Sequence, residues 1–377
     1  MGYITDNMHI TTHTGGGKRD SSLELYRIIV MWLIVAHHYV VNSGLTAEGG
    51  PILMNTSAAN SIYLLLFGAW GKTGINCFMM ITGYFMCTGK ITIRKFLKFI
   101  LQVYFYKFLI FGVLLGAGYE TISLSRLFKL FLPVSSIDQG FVSCFIVFYL
   151  TIPFWNILIH NITKRQHLLL LALLLVCYTL LGSLPRFNVS FNYVTWFGII
   201  YLIGSYIRLY PIPVFERRSL WGWLTIANIA LAIGSILSMN YLYGHDWYYF
   251  VSDCNKLFAV TIAICSFLWF KNLPIRYSKI INAFGAATFG VLLIHANSDA
   301  MRTWFWRDFV DCVGHYNLSL WHLILYSVSV VAAIFVICNL IEQIRIKTLE
   351  RYFFNWYDNK LKKGKCTPAC FNKYKVI

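Results

Sequence analysis

Arg27 and His38 stand eleven residues apart in the first long apolar run of the chain, a setting in which ionisable side chains are costly and usually functional. At 100° per residue, eleven steps leave the two about 20° apart on one helix face and roughly 16 Å apart along its axis. A guanidinium near one membrane surface therefore shares a face with an imidazole in the opposite half. The first suits a phosphate or carboxylate; the second suits general-base or nucleophilic chemistry. Glu24 precedes Arg27 by three residues, the spacing that pairs the two side chains and holds the guanidinium toward a ligand. His37 points about 100° away from His38 and reads as a packing residue.

A membrane helix must hold such a pair, and the composition calls for one. Hydrophobic residues make up 58% of the 377 and charged ones only 12%, too little polar surface for a water-soluble globule of this size. The chain reads as an all-α, polytopic membrane protein. Ten stretches approach the length of a span, roughly 23–42, 61–86, 96–117, 140–160, 167–184, 193–210, 219–240, 256–271, 280–297 and 320–343. The expected organisation is a cytoplasmic N-terminal tail over 1–22, a ten-helix domain over 23–343 and a basic tail over 344–377. That last segment interleaves cations with Phe353, Phe354, Trp356 and Tyr357, a pattern suited to a cytoplasmic or interfacial helix on anionic lipid. No internal repeat is evident.

The net charge of +17 raises the question of a nucleic-acid partner, which the distribution answers. Loop parity puts 23 of the 32 basic residues on one side and six on the other, with Arg27, Lys72 and Lys107 inside spans. The positive-inside rule then places both termini in the cytoplasm and accounts for the basic charge without nucleic acid. The ten cysteines are scattered, mostly within spans, where a thiol packs as a small hydrophobe. Cys366 and Cys370 are too few for a zinc site, and no metal is expected. Cys254 and Cys312 form the one pair placed for an outer disulfide. Gly15 to Lys18 lacks the Ser or Thr and the preceding strand of a phosphate loop and reads as linker.

Several further segments carry a family pattern in order. The run Ser22 to Arg27, followed by ten residues and His38, resembles the opening helix of acyltransferase family 3, the integral-membrane acyltransferases that modify cell-envelope glycans. Gly74 to Phe85, with Thr82 where Ser is common, resembles its second-span segment. Phe148 to Phe154 and Tyr201 to Tyr206 are similar to its middle spans, and Phe289 to His295 to its penultimate span, with Leu292 where Tyr is frequent. The family's third helix carries two Arg three residues apart; here Lys95 and Lys98 hold that spacing beside Arg94. Lys in place of Arg gives up bidentate phosphate contact.

The resemblance implies a bacterial inner-membrane enzyme that takes an acetyl or similar group from cytoplasmic acyl-coenzyme A. The acceptor it implies is a hydroxyl of a cell-envelope glycan or a lipid-linked sugar. Arg94, Lys95 and Lys98 would then meet the donor's phosphates, Arg27 and Glu24 would assist, and His38 would act as general base or acyl carrier. His295 ends an outward-running span at a depth facing His38, and with Lys72 is a candidate to line the acceptor site. His295 to Asp299 also spells the H-x3-D pattern of soluble acyltransferases, a coincidence in a membrane fold. The outer segments His245 to Tyr249 and Trp304 to Asp308 mix aromatic and polar side chains, which suits a headgroup belt first and sugar stacking second. The competing class is a transporter or exporter with His38 and Lys72 lining a path. It would consume no thioester.

Overall fold

Asp20 sets the start of the first helix, α1 (Ser21–Val41), by accepting the backbone N–H groups of Ser22 and Leu23 on its carboxylate. The computed structural model describes residues 19–363 apart from 133, 135, 136, 138, 139 and 188. Among these the chain is helical, with no strand. Gly15 to Lys18, Cys366 and Cys370 lie outside the described residues.

Among the described residues, seven helices are long and apolar enough to cross a membrane. They are α1, α2 (Ala59–Met86), α3 (Ile93–Gly116), α4 (Phe141–Asn161), α5 (Lys164–Ser183), α7 (Arg218–Tyr243) and α10 (Leu320–Lys360). An eighth is reached if α9 (Lys279–His295) is joined to Asp299–Phe309, to which it is bent by 93°. Two more segments from the sequence reading, α6 (Tyr193–Leu209) and α8 (Leu257–Lys271), are apolar but shorter. The ten segments of the sequence reading are these seven together with α6, α8 and α9. The reason for the short α6 is burial: Tyr193 and every residue from Trp196 to Ile207 are enclosed by protein, so the helix need not match the thickness of lipid.

Close approach of backbones builds the centre. A Cβ on Gly83 would lie 2.7 Å from the Tyr201 carbonyl oxygen, and one on Gly204 would lie 2.6 Å from that of Met80, so α2 and α6 touch along a seam that only glycine permits. Asn76 pins the same helices from within. Its amide donates to the carbonyls of Cys254 (2.7 Å) and Ala259 (3.1 Å) while its oxygen accepts the Trp196 indole N–H at 2.8 Å. A buried amide satisfied on both ends fixes one register of α2 against α6 and α8. Cys254 and Cys312 are buried free thiols, which removes the outer disulfide.

The last span does not stop near 343. The helix continues through a π-type turn (Ile346–Glu350) to Lys363 and folds its polar end against the start of α3. Glu342, 1% exposed, accepts from Gln102 (3.0 Å), Tyr106 (2.7 Å) and both nitrogens of Arg345 (2.8 Å each). Breaking one member of such a buried pair costs about 3–5 kcal/mol, because it strands the other charge.

Candidate active site

α1 carries the site along its length. Near its N-terminus Glu24 is buried, and one of its oxygens accepts from Arg27 at 2.9 Å and from Arg19 at 3.1 Å. Gly285 seats α9 against this carboxylate, since a Cβ there would lie 2.3 Å from Glu24 Oε2. The Glu24–Arg27 pair read from spacing is therefore present, with Arg19 as a second cation that the spacing did not include.

Near the C-terminal end of α1 His38 borders a cavity of about 1210 Å3, whose wall also includes Met31, Ile34 and His37 of α1, Lys72 of α2 and Arg302 beyond α9. The cavity descends α1 as far as Met31, four residues and about 6 Å above Arg27. Arg27, Arg94, Lys95 and Lys98 do not line it.

The imidazole of His38 is held by a second one. His38 Nδ1 lies 2.9 Å from His295 Nε2, and His295 Nδ1 lies 2.6 Å from the carbonyl oxygen of Val291. A carbonyl oxygen only accepts, so His295 Nδ1 carries a proton. With both rings neutral, His295 Nε2 is then an acceptor and His38 Nδ1 must donate to it. The proton assignment follows from this network. It leaves His38 Nε2 with a free lone pair, and no hydrogen-bond partner for that atom exists among the described residues. His295 is fully buried and absent from the cavity wall. Both its nitrogens are taken, and it stands behind His38. Asp299 pairs with Arg302 at 2.9 Å, which leaves the H-x3-D pattern without its His–Asp contact.

His37 was read as packing, and it does pack: a Cβ on Gly71 would lie 2.2 Å from its ring, and its Nδ1 reaches the Gly68 carbonyl at 2.5 Å. It also borders the cavity. Lys72 lies on the same wall, donates to the Tyr193 hydroxyl at 2.6 Å and sits 3.6 Å from Asp253. Spacing along the chain gave no sign of Tyr193 or Asp253, because both reach Lys72 only through the fold.

The third-helix cations face the other way, onto the C-terminal helix. Arg94 pairs with Asp358 at 3.0 Å and lies 5.2 Å over the Phe354 ring; Lys98 pairs with Glu350 at 2.6 Å. Lys95 donates to the Lys90 carbonyl at 3.0 Å. Glu350 also meets Arg345 at 2.9 Å, which links this surface to buried Glu342. The sequence reading missed Glu342 by ending the span at 343 and assigning Arg345 to the tail. The i, i+3 spacing of the two was the available signal.

A model of the acyltransferase domain family, acyltransferase family 3, matches residues 20–339, most of the chain. No curated protein and no solved structure matches significantly.

Proposed function

Because the chain belongs to acyltransferase family 3, and is an acyltransferase, we propose that it moves an acyl group from cytoplasmic acyl-coenzyme A to a hydroxyl of a cell-envelope carbohydrate. The observation that carries this reading is the free Nε2 of His38 at the cavity wall, its tautomer set by His295 and Val291. The acceptor O–H gives its proton to His38 Nε2 as its oxygen attacks the thioester carbonyl carbon. The C–S bond then breaks, and the leaving thiolate takes that proton back from the imidazolium. Arg27, held by Glu24, and Arg94, Lys95 and Lys98 receive the donor's phosphates at the inner face. Lys72 contributes to the acceptor side.

The reading includes a ten-span arrangement in a bacterial inner membrane with both termini inside. α6, enclosed by protein, and α8 and α9 serve as the remaining crossings. Donor and acceptor then enter from opposite sides, and the line from Arg27 to His38 along α1 is the route between them.

Substitution tests the assignment directly. His38→Ala is expected to lower acyl transfer by about 10²-fold or more, the usual contribution of a general base. The measurement is acceptor-dependent release of free coenzyme A by purified protein in nanodiscs. Transfer retained within about threefold, or a loss confined to His37→Ala, would remove His38 from the role.

A further inference from the structure

Five cationic side chains border the His38 cavity: Lys72, Lys107, Arg126, Lys129 and Arg302, against two carboxylates, Glu120 and Asp299. The positive-inside rule works against cations on this side. Of the nine basic residues outside the inner segments, five nevertheless gather here. The pairings do not cancel them. Lys72 is opposed by Asp253 at 3.6 Å, Arg302 by Asp299 at 2.9 Å and Arg126 by Glu120. Among the described residues Lys107, inside a span, meets the carbonyl oxygens of Lys129 (2.6 Å) and Leu132 (2.7 Å) at the end of the short helix Leu124–Phe131 and no carboxylate. Lys129 has no carboxylate partner among the described residues.

We propose that this cavity selects an anionic acceptor: a carbohydrate bearing carboxylate, phosphate or sulfate groups, held by Lys107, Lys129 and Arg126 beside the hydroxyl that meets His38. The inference rests on the reading of this cavity as the acceptor's half of the acyl-transfer site. A low-dielectric cleft lined by one sign of charge concentrates ligands of the other sign and loses that advantage in salt. Donor phosphates have their own cations at the start of α3, outside this cavity. The outer cluster is thus left for the acceptor.

The test is binding, kept separate from turnover. A sulfated dextran oligosaccharide and its uncharged dextran counterpart are titrated calorimetrically into the full-length protein in nanodiscs of zwitterionic lipid. The sulfated form is expected to bind at least about tenfold more tightly and to weaken as salt is raised. Lys107→Gln/Lys129→Gln is expected to remove at least about tenfold of that affinity, and the exposed Arg126→Gln serves as a second variant if the pair disturbs folding. Equal binding of the two oligosaccharides, or unchanged binding by the variants, would overturn the proposal. So would displacement by coenzyme A of the component that the Lys107/Lys129 variant removes, which would assign these cations to the donor. His38→Ala is expected to bind like wild type, so failure of the general-base reading and failure of the anionic-acceptor reading give different results.

Discussion

One proton decides what His38 can do, and the Val291 carbonyl decides where that proton sits. By requiring a proton on His295 Nδ1, it makes His295 Nε2 an acceptor and fixes His38 in the tautomer with Nε2 bare. On the proposed reading His295 is a positioning residue that acts through His38. His295→Ala should lower kcat by about 10- to 100-fold, a share of what a general base supplies, while leaving KM for both substrates unchanged. His295→Asn should recover much of the loss, because its amide oxygen can accept the same proton. A purely structural role would move stability and KM together and show no such rescue. A base works in its neutral form, so wild-type kcat should rise with pH as imidazole loses its proton and then level off. That limb should vanish in His38→Ala, as initial rates across pH would show.

At the scale of elements, the end of α10 and the start of α3 share charges that a donor would need. Arg94 and Lys98 are about half exposed, at 58% and 51%, and exposed pairs of this kind contribute only about 0–1 kcal/mol. A phosphate, with more charge and more acceptor oxygens, displaces them readily. Asp358→Asn should therefore lower KM for acyl-coenzyme A by about two- to fivefold, the equivalent of roughly 0.5–1 kcal/mol, with kcat unchanged. Arg94→Gln/Lys98→Gln should raise the same KM. Initial rates against donor concentration check both, and an Asp358→Asn effect on acceptor KM alone would separate these cations from the donor. Glu342 lies deeper in this contact, and the donors Gln102 and Tyr106 of α3 join it to α10 while Arg345 meets it from the same helix.

For the whole molecule, orientation follows from charge and is open to labelling. With the termini inside, Glu48 lies in an outer loop and Lys90 in an inner one. In a cysteine-free background, Glu48→Cys should react with a membrane-impermeant maleimide in intact cells and Lys90→Cys only after permeabilisation. The reverse pattern would invert the molecule and put the cationic cavity on the donor's side. The buried polar pins of Asn76 and Glu342 hold helices whose surfaces otherwise differ little from lipid, and this is how a membrane bundle obtains a unique packing.

How much of this was legible beforehand depended on range along the chain. The shared face of Arg27 and His38, the Glu24–Arg27 pair and the helical architecture are local matters of helical period and hydropathy, and the sequence by itself determined them. The family followed from the order of several segments, none specific alone. The meeting of His38 and His295 spans 257 residues, and the Lys72–Asp253 and Arg94–Asp358 pairs are likewise products of tertiary packing. Composition marked each of these groups as ionisable, but a lone charge in a span has many partners within reach of a folded chain. Only the tertiary structure chose among them. It put His295 behind His38 rather than on the wall, turned Arg94 and Lys98 onto the C-terminal helix, and gathered scattered cations around one cavity, because helix packing decides which faces meet.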